Sequence, residues 1–194
     1  MDYPLRRRSR RLPDDEALDV LRRCTWGFLS LVGPDGAPYG VPLNHALQED
    51  AAGRRLVFHC AREGRKLDCL RSCPRASFVA VEGAEGGPGA APQAVQLAAP
   101  FVAVEGAETL PDKFSTAYAS VLVSGPVAVV DEPAAKRELL RFLVGRLAPD
   151  HAERGEKHIA HRLDDCLALV LDIESLCGKR RPKADPYALA HLGF

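Results

Sequence analysis

The densest run of chemistry-bearing residues in the chain is Leu56-Val-Phe-His-Cys-Ala-Arg-Glu-Gly-Arg-Lys-Leu-Asp-Cys-Leu70. Its first six residues read as a strand, a short apolar run with Val and Phe bounded by polar residues. Gly64 then breaks the chain before a helical pattern carried by Leu67 and Leu70. The predicted helix therefore opens on Arg65 and Lys66. A helix start already offers unpaired N–H groups and the positive end of the dipole, so stability alone favours Asp or Glu there. Two cations at that point suit an anion such as a phosphate. A solvated helix face, with Glu63 and Asp68 as local partners worth a few tenths of a kcal/mol, explains the same residues equally well.

Other titratable residues carry weaker signals. His59 stands at the strand exit, where a packed, hydrogen-bonded histidine is the commoner role than catalysis. The six cysteines, Cys24, Cys60, Cys69, Cys73, Cys166 and Cys177, contain no C-x-x-C pair and read mostly as small buried thiols. Cys69 and Cys73 share a helix face, yet their spacing with His59 and Cys60 fits no structural zinc pattern. His158 and His161 could share a face as ligands, but no third ligand follows at helical spacing, and residues 149–162 read as a solvated polar turn.

The elements that must position these residues are mostly strands. Pro13-Asp-Asp-Glu opens a helix to about Cys24, with Ala17, Leu18, Val20 and Leu21 as its apolar side. Residues 26–32 and 39–47 flank the turn sequence Gly33-Pro-Asp-Gly36, which predicts a hairpin. Pro42 within the second strand implies an edge, a bulge or a ligand-facing backbone. Further strands are expected over 77–81, 118–130 with a kink or bulge at Gly125-Pro126, and 166–173; a helix follows Pro133 to about Leu147. Many antiparallel strands with about three helices outside them predict a closed or partly closed β-barrel.

One octapeptide, Phe78-Val-Ala-Val-Glu-Gly-Ala-Glu85, recurs unchanged as Phe101-Val-Ala-Val-Glu-Gly-Ala-Glu108. Two identical strands can compete for one place in a sheet. The first copy is expected to occupy it, because it directly follows the helix, and 83–100 is expected to be a mobile excursion.

With 194 residues, 46% of them hydrophobic, the chain has the size of one domain. Lys plus Arg and Asp plus Glu number 26 each, so no overall field draws it to nucleic acid or a membrane. The basic cluster Arg6–Arg11 reads as an arm that lies on an acidic patch or stays mobile. No stretch has the length of a bilayer span or the apolar core of a signal peptide, which predicts a cytoplasmic protein.

Four segments, in order along the chain, resemble the flavin-binding split-barrel proteins related to pyridoxamine 5'-phosphate oxidase, and among them the nitroimidazole-resistance type. They are Gly40-Val-Pro-Leu-Asn44, Phe58-His-Cys-Ala-Arg-Glu-Gly-Arg-Lys-Leu-Asp68, Ala117-Tyr-Ala-Ser-Val-Leu-Val-Ser-Gly125 and Asp172-Ile-Glu-Ser-Leu-Cys-Gly-Lys-Arg-Arg-Pro182. The H-x-x-x-x-G-R-K-L element together with the terminal G-K-R is the most specific part.

The resemblance implies a mainly β fold with flanking helices, a split β-barrel of the FMN-binding Greek-key type, acting as a homodimer with FMN at the interface. It implies an arm over 1–12, one domain over 13–182 with an insertion near 83–108, and a tail over 183–194. By the same resemblance Arg65 and Lys66 hold the FMN phosphate, and Pro42, Leu43 and Asn44 line the ring edge. His59 and Cys60 sit near the ring or ribityl chain, with His59 as proton donor. Ser120, Val121, Lys179 and Arg180 complete the cofactor-binding set. The implied activity is reduction of a small electron-poor compound, a nitroaromatic among them. A flavin store or sensor, or a related protein using deazaflavin or haem, is the alternative. The chain departs from the pattern in its duplication and in Ala119, where an arginine is common.

Overall fold

The computed structural model describes residues 5–51, 53–83, 108–110 and 115–182. In chain order these form α1 (Asp14–Arg23), β1 (Trp26–Val32), β2 (Pro38–Asn44), β3 (Ala46–Asp50), β4 (Gly53–Ala61), α2 (Arg65–Ser72) and β5 (Arg75–Gly83). They continue with β6 (Glu108–Leu110), β7 (Ser115–Val130), α3 (Pro133–Leu147), α4 (Ala152–Arg162), β8 (Cys166–Asp172) and β9 (Ser175–Arg181). The chain is mainly antiparallel β, with four α-helices among the described residues. It divides into two compact units, a larger one over 25–79 and 122–176 and a smaller one over 1–24, 80–121 and 177–194.

The strands of the larger unit run in the order β2-β1-β5-β7-β8-β4-β3. The β1–β2 hairpin closes as expected: the Gly33 amide donates to the Ala37 carbonyl at 2.8 Å, and the Asp35 carboxylate accepts from the Ala37 amide at 3.0 Å. Pro42 lies opposite Phe28 on β2, an end strand of that order, which is the edge placement its missing N–H demands. The core forms where β4 meets β8. Leu56, Phe58 and Cys60 pair with Leu171, Leu169 and Leu167, and all six are buried. Phe58 meets Phe78 edge-on with ring centroids 5.2 Å apart, and Phe78 meets His45 at 4.8 Å. Such aromatic contacts add to the burial they accompany.

Two helix starts have visible chemical causes. Pro133 stands at the first position of α3, and the Glu132 carboxylate accepts from the amides of Ala134 and Ala135 at 2.9 and 2.7 Å. Lys136, one turn in, is buried and bonds the Asp131 carboxylate at 2.8 Å and the Cys166 carbonyl at 3.0 Å. Arg62 grips the same carboxylate through both terminal nitrogens. Arg62 first, then Lys136, holds Asp131 far below the usual carboxylate range.

In the smaller unit, the first turn of α1 holds Asp14, Asp15 and Glu16 and its last turn Arg22 and Arg23, matching the helix dipole at both ends. The basic arm ends in a short 3-10 turn, Arg8–Arg10, and Arg11 then bridges Lys179 of β9, with the Leu12 amide bonded to the Gly178 carbonyl at 3.0 Å. Arg180 reaches Glu16 at 2.8 Å, and β6 pairs with the start of β7.

Two expectations need correction. Residues 39–47 are two strands: the His45 amide and the Asn44 side-chain amide both bond to the Thr25 carbonyl at 3.1 Å, and the backbone passes there from pairing with β1 to pairing with β4. Residues 149–162 are a 3-10 turn and then α4, which buries Ile159. The segment carrying the terminal G-K-R, for which no element is predicted, forms β9. The strand expected over 118–130 is β7, which continues through Gly125-Pro126. The glycine is needed for a close approach, since a Cβ there would collide with the Asp172 carbonyl oxygen.

Residues Phe78–Gly83 of the first octapeptide copy lie in β5. Residues 101–107 of the second copy lie outside the described residues, as do the expected excursion beyond Gly83 and the tail over 183–194.

Candidate functional site

β4 delivers His59 and Cys60 to its C-terminal end, and three residues later the chain turns into α2. Gly64 makes that turn with φ +121°, a left-handed backbone conformation that a side chain would strain. Having no side chain, it also supplies no cap. The first intrahelical donors are the Leu67 and Asp68 amides, both directed to the Gly64 carbonyl. The amides before them have no intrahelical acceptor.

Arg65 lies over the Tyr39 ring of β2, its guanidinium carbon 5.1 Å from the centroid. That contact orients the side chain by cation–π attraction while leaving its N–H edge open. Most arginines of the larger unit behave differently: Arg55 pairs with Asp50, Arg62 with Asp131, Arg71 with Asp68, Arg75 with Glu174, Arg141 with Glu156 and Arg162 with Asp165. Among the described residues no carboxylate pairs with Arg65 or Lys66. Uncapped amides and two uncommitted cations fit a phosphate, so the residues present suit the phosphate end of a flavin mononucleotide.

His59 is exposed near the end of β4 and lines a cavity together with residues of α3 and α4. Partial desolvation of its imidazole lowers its pKa, and the charges of Lys66 and His158 lower it further. Burial pushes the thiols of Cys60 and Cys166 up, away from thiolate reactivity. Beneath His59 lies a cavity of about 440 Å³, walled by α3 and α4. His158 lines it too, brought to the cavity by the helical form of 152–162 in place of a solvated turn. His161 is not among the lining residues, and no group of three or more His, Cys, Asp or Glu among the described residues could hold a metal ion.

The remaining expected residues fall in two places. On β2, Pro42 and Asn44 are exposed and Leu43 is half-buried, in the same unit as His59, Cys60, Arg65 and Lys66. Ser120, Val121, Lys179 and Arg180 belong to the smaller unit. There Val121 is fully buried, so its side chain is committed to packing. Arg180 is engaged by Glu16, and Lys179 lies 5.9 Å over the Tyr118 ring. No described helix is long and apolar enough to cross a membrane.

Solved structures share this fold. A candidate 5-nitroimidazole antibiotic resistance protein of Bacteroides thetaiotaomicron is 15% identical, with a TM-score of 0.61, covering 87% of this chain and 85% of its own. The flavocytochrome Anf3 of Azotobacter vinelandii is 18% identical, with a TM-score of 0.67 and coverage of 99% and 80%. An FAD and heme binding protein of Mycobacterium smegmatis is 20% identical, with a TM-score of 0.65 and coverage of 95% and 81%. No curated protein matches the chain. The sequence pattern of pyridoxamine 5'-phosphate oxidase matches residues 13–176, most of the length, and by that match the chain belongs to the pyridoxamine 5'-phosphate oxidase family.

Proposed function

We propose that this protein is an FMN-dependent oxidoreductase of the split-barrel type that works as a cytoplasmic homodimer and reduces a small electron-poor compound, a nitroaromatic being the first class to try. The observation that carries the reading is the start of α2, uncapped and bearing two cations that no carboxylate among the described residues neutralises. Arg65, Lys66 and the first amides of the helix hold the phosphate. The backbone of Pro42, Leu43 and Asn44 lines the ring edge, and His59 and Cys60 flank the ring or ribityl chain.

The flavin supplies the electron chemistry when bound. His59 supplies a proton to the acceptor from its imidazolium form, which the neutral ring reaches by first taking a proton from water; the lowered pKa makes that charged form the readier donor. We carry Ser120, Val121, Lys179 and Arg180 as cofactor residues by resemblance of their segments alone, and likewise a single domain over 13–182.

The experiment is a visible absorbance spectrum of the purified protein before and after adding FMN and desalting. Retention of the two-band flavin spectrum supports the site at Arg65 and Lys66. Turnover with a reduced nicotinamide and nitroaromatic acceptors then separates an enzyme from a flavin store. A protein that retains no FMN overturns the flavin reading, and deazaflavin and haem become the ligands to test.

A further inference from the structure

The cavity beneath His59 is more than a packing defect. Protein interiors leave few voids larger than a water molecule, whose share of liquid volume is roughly 30 Å³. At about 440 Å³ this one falls in the size range of small-molecule sites, roughly 300–1,000 Å³. Its walls are aliphatic, from Leu140, Leu143, Val144 and Leu147 of α3 and Ile159 of α4.

The polar groups that line it come from β4, α4 and the start of β8. Arg162 and Asp165 line it but bond each other at 2.8 Å, so their charges cancel. Cys60 and Cys166 are held as neutral thiols. That leaves His59 and His158, neither of which has a hydrogen-bond or ion-pair partner among the described residues. Lys66 is close enough for its charge to act on His59, as does that of His158. Two imidazoles, those of His59 and His158, thus line the cavity as the polar groups left without a partner among the described residues. A negative group seated there would accept from the imidazole N–H groups, while an apolar body filled the space between the aliphatic walls.

We propose that this cavity is a binding site for a small apolar molecule bearing one anionic head, of the class of medium-chain carboxylates, with its head at His59 and His158 and its chain between α3 and α4. The site shares His59 and Cys60 with the cofactor site proposed above and extends away from it between α3 and α4, so the test measures octanoate and FMN separately and together.

The test is calorimetric titration of octanoate into the full-length protein, with and without FMN, and of octan-1-ol as the uncharged analogue. Octanoate is expected to bind at one saturable site, at least about tenfold tighter than octan-1-ol, because it adds charge-assisted hydrogen bonds at its head. The His158 ring signals should move in the NMR spectrum as octanoate is added. Leu147→Trp, a half-buried wall residue made larger, should weaken octanoate at least about tenfold and leave FMN retention unchanged. If that variant fails to fold, the His158 shifts in the wild-type protein decide. Absence of saturable binding, equal affinity for the alcohol, unmoved His158 signals, or mutual exclusion of octanoate and FMN would each overturn the proposal; mutual exclusion would show a single site shared with the cofactor. Failure of octanoate to bind a protein that retains FMN would reject this inference alone.

Discussion

The starts of α3 and α2 solve the same problem in opposite ways. At α3 a proline presets the first residue, a glutamate accepts from two amides, and the helix start is chemically complete. At α2 a bare glycine occupies the cap, two cations follow, and the amides stay open. Both helices fold, since α2 buries Leu67, Cys69 and Leu70 and α3 buries Leu140 and Leu143. The sheet-facing residues therefore hold each helix in place, and the terminus of α2 is free to serve something else. A residue choice that works against its own helix and is compensated by packing marks a place where function was favoured over stability.

The sharpest break of that contrast is Lys66→Glu. Reversing the charge at the open terminus should reduce FMN affinity by at least about a hundredfold, measured by fluorescence titration. Removing charge without reversing it should do less: Arg65→Ala and Lys66→Ala should each weaken FMN by about 1–3 kcal/mol. Unchanged affinity in both would refute the phosphate assignment. At the other helix, Glu132→Ala should lower the Tm by roughly 2–4 °C and leave FMN binding alone.

The pH dependence of that loss follows from the Glu132 carboxylate, whose pKa is depressed by the Ala135 and Ala134 amides. Its stabilisation is full above the ordinary value of 4.5 and disappears as pH falls through the lower folded value, so the gap between variant and wild type should close in acid. The smallest effect is the most telling. Lys66→Glu should stabilise the apoprotein by about 0.3–1 kcal/mol in urea unfolding, because a carboxylate suits the dipole at a helix start. A variant that loses ligand and gains stability separates the two demands at one residue.

Local features were readable in the sequence and features made by distant segments were not. The strand into Ala61, the helix from Arg65 and the turn at Gly33–Gly36 each depend on neighbours a few residues away, and each stands where the pattern put it. The handover at His45 escaped because no Gly or Pro marks it; the Thr25 carbonyl that turns the chain is twenty residues upstream. α4 escaped because Ile159 is its one buried residue, too little for a helical period to show. The same division holds for the site. Arg65 and Lys66 form one local motif, whereas the cavity draws on residues 59–61, 140–148 and 158–166, and no spacing rule joins them.

The edge position of β2 has a consequence for the protein in concentrated solution. Pro38 and Pro42 are four residues apart, so the donors they lack fall on the same side of the strand. With β2 registered against β1 over seven residues, the gaps belong on the side facing away from that partner, where an incoming strand would seek donors. Two missing N–H groups along so short a margin make a poor template for a foreign strand, and the sheet is guarded there against end-to-end polymerisation without any covering element.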